Sequence, residues 1–325
     1  MIKPSFWTPA GAAGIKPAPE KTSGMKSLTV CYVTSRPEPE FDWFLNSLAS
    51  QINDWEQVEI IVVDSCATGP SYYQTQKIKR LIRTPPKPCI WQGPHRITTQ
   101  DWWAKCNALN TALCLVKTDW VAFVDDRSVL APTWLQSIRE AMAGNYAVCG
   151  TYEKRVGMVV ENGVIKAGGT IVARDNRYTG QTGPITANGG WWYGCTNALP
   201  LEWMLQMNGF PEKCDSVSFE DIITGMIIHN NGHPIKFDPS MKIIEDRTPE
   251  KVGPPCKRSS KERHPHDTED KTHQILRWAR SAKVSDNPFN MRELRDSILA
   301  GGAFPIPDQN ANWLDWFDGQ SLMEM

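Results

Sequence analysis

The chain has 325 residues, of which 41% are hydrophobic and 22% charged, values that are typical of a soluble globular protein. Its formal net charge of −1 excludes a general electrostatic attraction to nucleic acid or to anionic membranes. The nine cysteines include no CxxC pair, no apolar run reaches the roughly 18–20 residues of a membrane span, and no secretory signal is recognisable, so we expect a cytoplasmic protein.

The N-terminal part predicts a tail followed by a β-α-β unit. Residues 1–26 are rich in Pro, Gly and Ala and have no hydrophobic period, which is typical of a linker. The β-branched and aromatic run 28–34 predicts a buried strand, and apolar residues at helical spacing over 41–52 predict a helix. A second apolar strand over 58–63 ends on Asp64. Two such strands joined by a helix are typical of a parallel sheet.

The middle of the chain repeats this alternation. We expect a helix over 103–116 and then a strand over 120–124 that runs directly into Asp125 and Asp126. Pro132 is placed to begin the next helix, because proline is well tolerated at a first helical position.

The second half is less regular. The predicted strands and helices there are 147–151, 168–173, 201–207, 221–229 and 234–239. A polar, basic, Pro-containing loop follows over 248–268, and helical patterns follow over 271–299. The whole pattern predicts an α/β fold with a doubly wound, mostly parallel sheet and a C-terminal helical extension.

Acidic residues lie at the carboxyl ends of two predicted strands, where open α/β sheets bind their ligands. Asp64 ends one strand, and Asp125 and Asp126 end another. Adjacent carboxylates repel each other, and this cost is offset when a cation lies between them and a phosphate. Mg²⁺ or Mn²⁺ suits such a site; a solvated loop start is the alternative.

Seven segments carry a more specific pattern through their order and spacing. They are Thr29–Arg36, Ile60–Ser65, Lys105–Asn110, Phe123–Leu135, Gly194–Pro200, Asn208–Glu212 and Phe219–Gly225. Together they resemble glycosyltransferase family 2, the large inverting family with the GT-A fold. The resemblance covers about residues 28–239 and implies transfer of a sugar from a nucleotide diphosphate sugar, with UDP as the expected nucleotide and Mn²⁺ or Mg²⁺ as the expected metal.

The resemblance also implies roles for individual residues. Thr34, Arg36 and Asp64 would hold the nucleoside, with Asn107 in the same donor site. Asp125 would face the ribose or sugar and Asp126 the metal. Asp221 would be the general base, with Glu220 in contact with a sugar. A carboxylate pair at a helix start is also favoured by the helix dipole, which is the structural alternative.

Two departures from the family pattern affect the metal site. The third position of the Asp-x-Asp triplet is Arg127, which we interpret as a possible phosphate partner. We expect the loop over 248–268 to fold over the diphosphate as a lid, with His264 or His266 on the metal and Glu245 as the other candidate. Its phosphate-binding candidates are Arg258, Lys261 and Arg263. A solvated basic loop is the alternative.

Trp191, Trp192 and Asn197 are candidates for binding the acceptor, because sugars and bases stack on aromatic faces. Core packing is the alternative for the tryptophans. The expected acceptor is a saccharide, with a modified nucleic-acid base as the alternative.

The expected domain organisation is a flexible tail, a catalytic domain and an extension. The boundaries are 1–26 for the tail, 27–268 for the GT-A domain and 269–325 for the helical extension. Within the domain, 27–130 is the nucleotide-binding half and 131–268 the acceptor half with the lid loop. A non-catalytic relative that binds nucleotide sugars or nucleic acid is the competing hypothesis. A nucleotidyltransferase is disfavoured, since the Gly-rich phosphate loop after the first strand is missing.

Overall fold

The computed structural model describes residues 26–36, 38–52, 58–67, 71–75, 78–89, 104–177, 180–216, 219–248 and 269–306. The strands are β1 (Leu28–Thr34), β2 (Val58–Asp64), β3 (Ser71–Thr75), β4 (Ile78–Thr84), β5 (Trp120–Asp125), β6 (Ser128–Leu130), β7 (Ala147–Val156), β8 (Val159–Glu161), β9 (Val164–Ala167), β10 (Thr170–Arg174), β11 (Ile185–Ala187), β12 (Thr196–Pro200) and β13 (Ile235–Asp246). The helices are α1 (Phe41–Ala49), α2 (Lys105–Leu115), α3 (Trp134–Gly144), α4 (Leu201–Gln206), α5 (Glu220–Asn230), α6 (Glu269–Ala279) and α7 (Met291–Leu299).

One large mixed sheet organises the molecule. Its main path has the order β11-β13-β7-β12-β5-β1-β2-β4-β3. β1 pairs in parallel with both β2 and β5, and β2 pairs in parallel with β4. Every residue of β1 is buried, as expected for a strand that is covered on both faces.

The other half of the sheet is joined through antiparallel β12. This strand lies between β5 and β7 and is antiparallel to both. The pairing places the segment before β12 beside the carboxyl end of β5, where the Asp125 N–H donates to the Cys195 carbonyl over 3.0 Å. An antiparallel strand thus brings a distant segment to the ligand-binding edge of the parallel strands.

Helices cover both faces of the sheet, so the α/β class and the doubly wound arrangement are confirmed. One buried cluster packs α2, α4, α5, α6 and α7 against one face, and a second packs α1 and α3 against the other. The C-terminal α7 contacts α2 and α4. None of the described helices is both long enough and apolar enough to cross a membrane.

Two predicted boundaries were wrong. The strand predicted over 147–151 continues to Val156. The last strand does not end near Pro239 but continues to Asp246, and its register shifts between Phe237 and Lys242. Proline is tolerated at such irregularities, where no ladder hydrogen bond is lost. β3 and β4 were not predicted at all. The first residue of the helix predicted over 103–116 and residues 307–325 lie outside the described residues.

Candidate active site

The ends of three parallel strands meet at one edge of the sheet. In the registers of β1 with β2 and β5, Thr34 lies opposite Asp64, and Val33 lies opposite Asp125. The predicted donor-side residues are therefore neighbours. This edge is where α/β folds bind ligands.

Asp126, the first residue after β5, is held by the end of β1. Its carboxylate accepts from the Thr34 hydroxyl over 2.7 Å and from Arg36 Nε over 3.2 Å. Burial raises the pKa of the Asp126 carboxyl, and the charge of Asp125 adds to this, while Arg36 and Thr34 act in the opposite direction. Thr34 and Arg36, which are predicted to bind the nucleoside, thus donate hydrogen bonds to the predicted metal ligand in this structure.

Asp64 at the end of β2 is almost fully buried and accepts from two sides. One carboxylate oxygen accepts from the Cys66 N–H over 2.8 Å, and the other accepts from Arg83 Nε over 2.9 Å. Arg83 comes from β4, a strand that sequence reasoning missed. A nucleobase that donates a hydrogen bond to Asp64 must share this carboxylate with Arg83.

Lys105 connects the donor-side strand end to the predicted catalytic helix. Its ammonium lies 2.9 Å from Asp125 Oδ1 and 3.5 Å from Glu220 Oε1. Burial works to lower the pKa of Lys105, but Asp125, Glu220 and Asp221 outweigh it and hold the pKa well above its ordinary value. Lys105 is therefore a permanent cation at this site. The sequence identified its segment but assigned no role to this residue.

Asn107 does not face this site. Its side-chain amide donates to the Lys87 carbonyl over 2.9 Å, and its backbone N–H donates to Asp215 over 3.0 Å. Residues two apart on a helix lie on roughly opposite sides, so the helix that presents Lys105 turns Asn107 inward. The predicted donor contact of Asn107 is therefore wrong in this structure.

Asp221 lies in the first turn of α5, and a backbone N–H from the segment before β12 orients it. Its Oδ2 accepts from the Gly194 N–H over 2.8 Å. A Cβ at position 194 would lie 3.1 Å from Lys105 Nζ and 3.2 Å from the Asp221 Cβ, so glycine avoids crowding there. Burial raises the pKa of neighbouring Glu220, as does the Asp221 charge, and Lys105 opposes both.

A single cavity, with about 310 Å³ of empty space that includes its opening to solvent, joins these groups. Lys105, Asp125, Glu220 and Asp221 all line it. The structure thus brings together the strand-end acid and both acids of α5, which the sequence had placed almost a hundred positions apart.

Arg127 is turned away from this cavity. Its guanidinium is 1% exposed, lies 2.5 Å from Asp246 and donates to the Glu38 carbonyl over 2.7 Å. Its φ of 54° is a left-handed conformation that large side chains rarely adopt, and the Tyr32 hydroxyl accepts from its backbone N–H over 2.9 Å. The prediction that Arg127 neutralises a phosphate is therefore wrong. The residue anchors the turn after β5.

Arg127→Met should lower the free energy of unfolding by about 3–5 kcal/mol, because it leaves the Asp246 carboxylate buried and without its cation. Urea unfolding measures this loss. Arg292→Met is the matched control, since it breaks an exposed pair with Glu202 and should cost less than about 1 kcal/mol. Equal, small losses in the two variants would contradict the anchoring role.

Of the three residues predicted to bind the acceptor, two line the cavity and one does not. Trp191 packs edge-on against Phe237, with ring centroids 5.5 Å apart, and so takes part in core packing. Trp192 and Asn197 are also buried, and both line the cavity. These two are therefore the ones that face the predicted substrate space.

A metal ion at the end of β5 could be coordinated by one carboxylate of the protein. Within the described ranges, no group of three or more His, Cys, Asp and Glu is arranged to hold a metal ion. Asp126 supplies one hard oxygen ligand, and Mg²⁺ sites commonly use one or two carboxylates together with substrate phosphates. The residues therefore fit an ion that is held largely by a diphosphate.

Of the other residues predicted for the metal site, the structure describes Glu245 but not the two histidines. Glu245 is buried, and its Oε1 lies 2.6 Å from Arg247. Burial raises its pKa to about 7, with Asp125 and Asp126 adding to the shift and Arg247 and Lys154 opposing it. The loop candidates, His264 and His266 with Arg258, Lys261 and Arg263, lie outside the described residues.

Fold and site together define an α/β protein with an acid-lined cavity at the carboxyl edge of its parallel strands. Residues 29–195, just over half of the chain, match the model of the family described as Glycosyl transferase family 2. The chain therefore belongs to glycosyltransferase family 2 and is a glycosyltransferase. No curated protein matches the sequence.

Three solved structures are similar to the chain at low sequence identity. GalNAc-T7 with UDP, GalNAc and Mn²⁺ is similar with a TM-score of 0.51 and 12% identity, over 78% of this chain and 48% of that chain. The S. aureus TarS 1-349 complex with UDP has a TM-score of 0.49 and 16% identity, over 84% of this chain and 70% of that chain. The Pyrobaculum calidifontis mannosyltransferase PcManGT with GDP-Man and Mn²⁺ has a TM-score of 0.46 and 14% identity, over 85% of this chain and 70% of that chain. The likeness to GalNAc-T7 shows the GT-A fold.

Proposed function

We propose that this chain transfers a sugar from a nucleotide diphosphate sugar to an acceptor hydroxyl, with inversion at the anomeric carbon and with Asp221 as the general base. One observation carries the proposal: Asp125 at the donor-side strand end and Asp221 on α5 line the same cavity. An inverting displacement needs a carboxylate behind the acceptor oxygen and the leaving group on the opposite side of the sugar.

The covalent step follows from this arrangement. The acceptor oxygen attacks the anomeric carbon, the bond from that carbon to the diphosphate oxygen breaks, and the acceptor proton passes to Asp221. The Gly194 N–H fixes one oxygen of Asp221, so the carboxylate is already oriented before the acceptor binds. Glu220 is held towards the same cavity by Lys105 and would contact a sugar.

Lys105 balances the charges of the site. Three carboxylates, those of Asp125, Glu220 and Asp221, act on its ammonium. Without a cation between them these acids would repel one another. Lys105 therefore holds Asp125 in place and offsets the repulsion between Asp125 and the two acids of α5.

The donor would lie along the strand ends, with the nucleoside near Thr34, Arg36 and Asp64 and the sugar near Asp125. A divalent ion would be held by Asp126, with His264, His266 or Glu245 as further candidates, and when bound it offsets the charge of the departing diphosphate. The complex of GalNAc-T7 with UDP, GalNAc and Mn²⁺, which has the same fold, supports this donor class. Asp64 accepts hydrogen bonds, which suits the ring N–H of uracil, so a UDP-linked donor is proposed.

A donor screen by thermal shift tests the binding half of the proposal. UDP, GDP and ADP, each with and without Mn²⁺, should raise the melting temperature to different extents, with UDP and Mn²⁺ giving the largest shift. A shift for ADP equal to or larger than that for UDP would contradict the role of Asp64. Binding of UDP-sugars without any turnover would favour the non-catalytic hypothesis, and the absence of any nucleotide effect would contradict the proposal as a whole.

A further inference from the structure

Two residues that line the cavity each have a buried polar atom without a hydrogen-bond partner among the described residues. One of these atoms is the indole N–H of Trp192, a side chain that is 1% exposed, and the other is the side-chain carbonyl oxygen of Asn197, which is 2% exposed. Unpaired buried polar atoms are costly, and nearly all such atoms in folded proteins are paired. Both residues line the cavity that also contains Asp125 and Asp221.

Packing and strand pairing fix the positions of both residues. Trp192 packs against Gly225 so closely that a Cβ there would come within 2.2 Å of the Trp192 Cβ. Asn197 lies on β12, where its backbone pairs with Phe123 of β5 and Cys149 of β7, and its side-chain amide N–H faces the Tyr193 carbonyl at 3.5 Å. Both residues are therefore held beside the cavity.

The cavity decides what kind of group can satisfy them. Four apolar side chains, those of Val33, Leu109, Phe123 and Phe210, line it, and it leaves room for about one group of the size of a water molecule. A hydroxyl group of a ligand, or a water molecule before the ligand binds, has this size and can both accept from an indole N–H and donate to an amide oxygen. A methyl group would satisfy neither atom.

We propose that Trp192 and Asn197 form a subsite for one hydroxyl of the transferred sugar, which accepts from Trp192 Nε1 and donates to Asn197 Oδ1. The inference rests on the proposed function and deepens it, because it makes these residues determinants of donor-sugar specificity. The transferred sugar is assigned because it is the group that must lie between the donor-side Asp125 and the proposed base Asp221, and both of these residues line the cavity.

The chain offers a matched control for Trp192. Trp134 is equally buried, but its indole N–H donates to the Thr196 hydroxyl over 2.8 Å, one residue before Asn197. A change to Phe at position 134 removes an indole N–H together with its hydrogen bond. The same change at position 192 removes an indole N–H that has no hydrogen-bond partner among the described residues. Trp134→Phe should therefore lower the melting temperature, whereas Trp192→Phe should leave it unchanged or raise it.

Calorimetry with UDP, UDP-glucose, UDP-galactose and their 2-, 3-, 4- and 6-deoxy analogues tests the subsite. In the wild type and in Trp134→Phe, one deoxy position should weaken binding at least about tenfold relative to its parent. In Trp192→Phe that difference should fall below about threefold. Asn197→Leu should have the same effect and answers the question if Trp192→Phe does not fold.

Each outcome has a distinct meaning. If UDP and the UDP-sugars bind but every deoxy analogue binds like its parent, the subsite is wrong and the donor class stands. If no UDP compound binds, the proposed UDP-linked donor is contradicted, and the subsite with it. A loss of melting temperature in Trp192→Phe as large as that in Trp134→Phe would show that the Trp192 N–H is already satisfied, which overturns the subsite.

Discussion

Replacing Asp221 by Asn should lower the turnover number by about 10²–10⁴-fold while the fold and the donor-induced thermal shift are kept, because general-base catalysis typically contributes that factor. Asn retains the shape of the side chain, and its oxygen can still accept from the Gly194 N–H. It cannot take the acceptor proton. Since the partner of Asp221 is the acceptor hydroxyl, the donor Michaelis constant should change far less than the turnover number.

The control for this variant is an acid at another helix start. Glu293 lies exposed in the first turn of α7, so Glu293→Gln should leave turnover unchanged. Steady-state kinetics with the donor chosen by the thermal-shift screen compares the two variants. An Asp221→Asn enzyme that keeps most of its turnover would move the base to Glu220 or elsewhere. An Asp221→Asn protein that fails to fold would favour the helix-dipole explanation.

Replacing Asp126 by Ala should instead reduce donor binding and turnover together. Loss of one charged ligand should weaken Mn²⁺-dependent binding of UDP by about tenfold or more, since interactions with a charged group contribute about 1.5–3 kcal/mol. The same change frees Arg36 from its pair with Asp126. Binding of UDP without Mn²⁺ should therefore be kept or become tighter, as the Arg36 guanidinium can then meet a phosphate.

Calorimetry of UDP with and without Mn²⁺ separates these effects. Asp296→Ala, which removes an exposed carboxylate on α7, is the control and should bind as the wild type does. If Asp126→Ala keeps the full Mn²⁺ dependence of the wild type, Asp126 is not a metal ligand.

The positions of the strand-end acids could be predicted from the sequence, but their partners could not. β1, β2 and β5 are near-continuous apolar runs, and such strands are recognisable because both their faces are buried. β4 mixes apolar and charged residues without a continuous apolar run and without strict alternation, so neither it nor Arg83, the cation on Asp64, was recognised. Pairing between strands that are distant in sequence is set by tertiary packing.

The errors at Arg127 and Asn107 have a common cause. Both were assigned from their place in a motif, and a motif gives the residue type and spacing but not the direction of the side chain. Arg127 points into the turn because its left-handed backbone directs it towards Asp246. The sequence assigned no role to Lys105 for the same reason. Its role comes from its ion pairs with Asp125 and Glu220, which lie beside it only in the folded protein.

The most direct test of the central claim is ¹H NMR of the sugar that the enzyme releases when water replaces the acceptor. In an α-linked UDP-sugar, a single displacement with inversion frees the β-anomer first, before it equilibrates in solution. The account predicts early β-anomer from the wild type and none above background from Asp221→Asn. Early α-anomer, or equal release of sugar by both proteins, would contradict it.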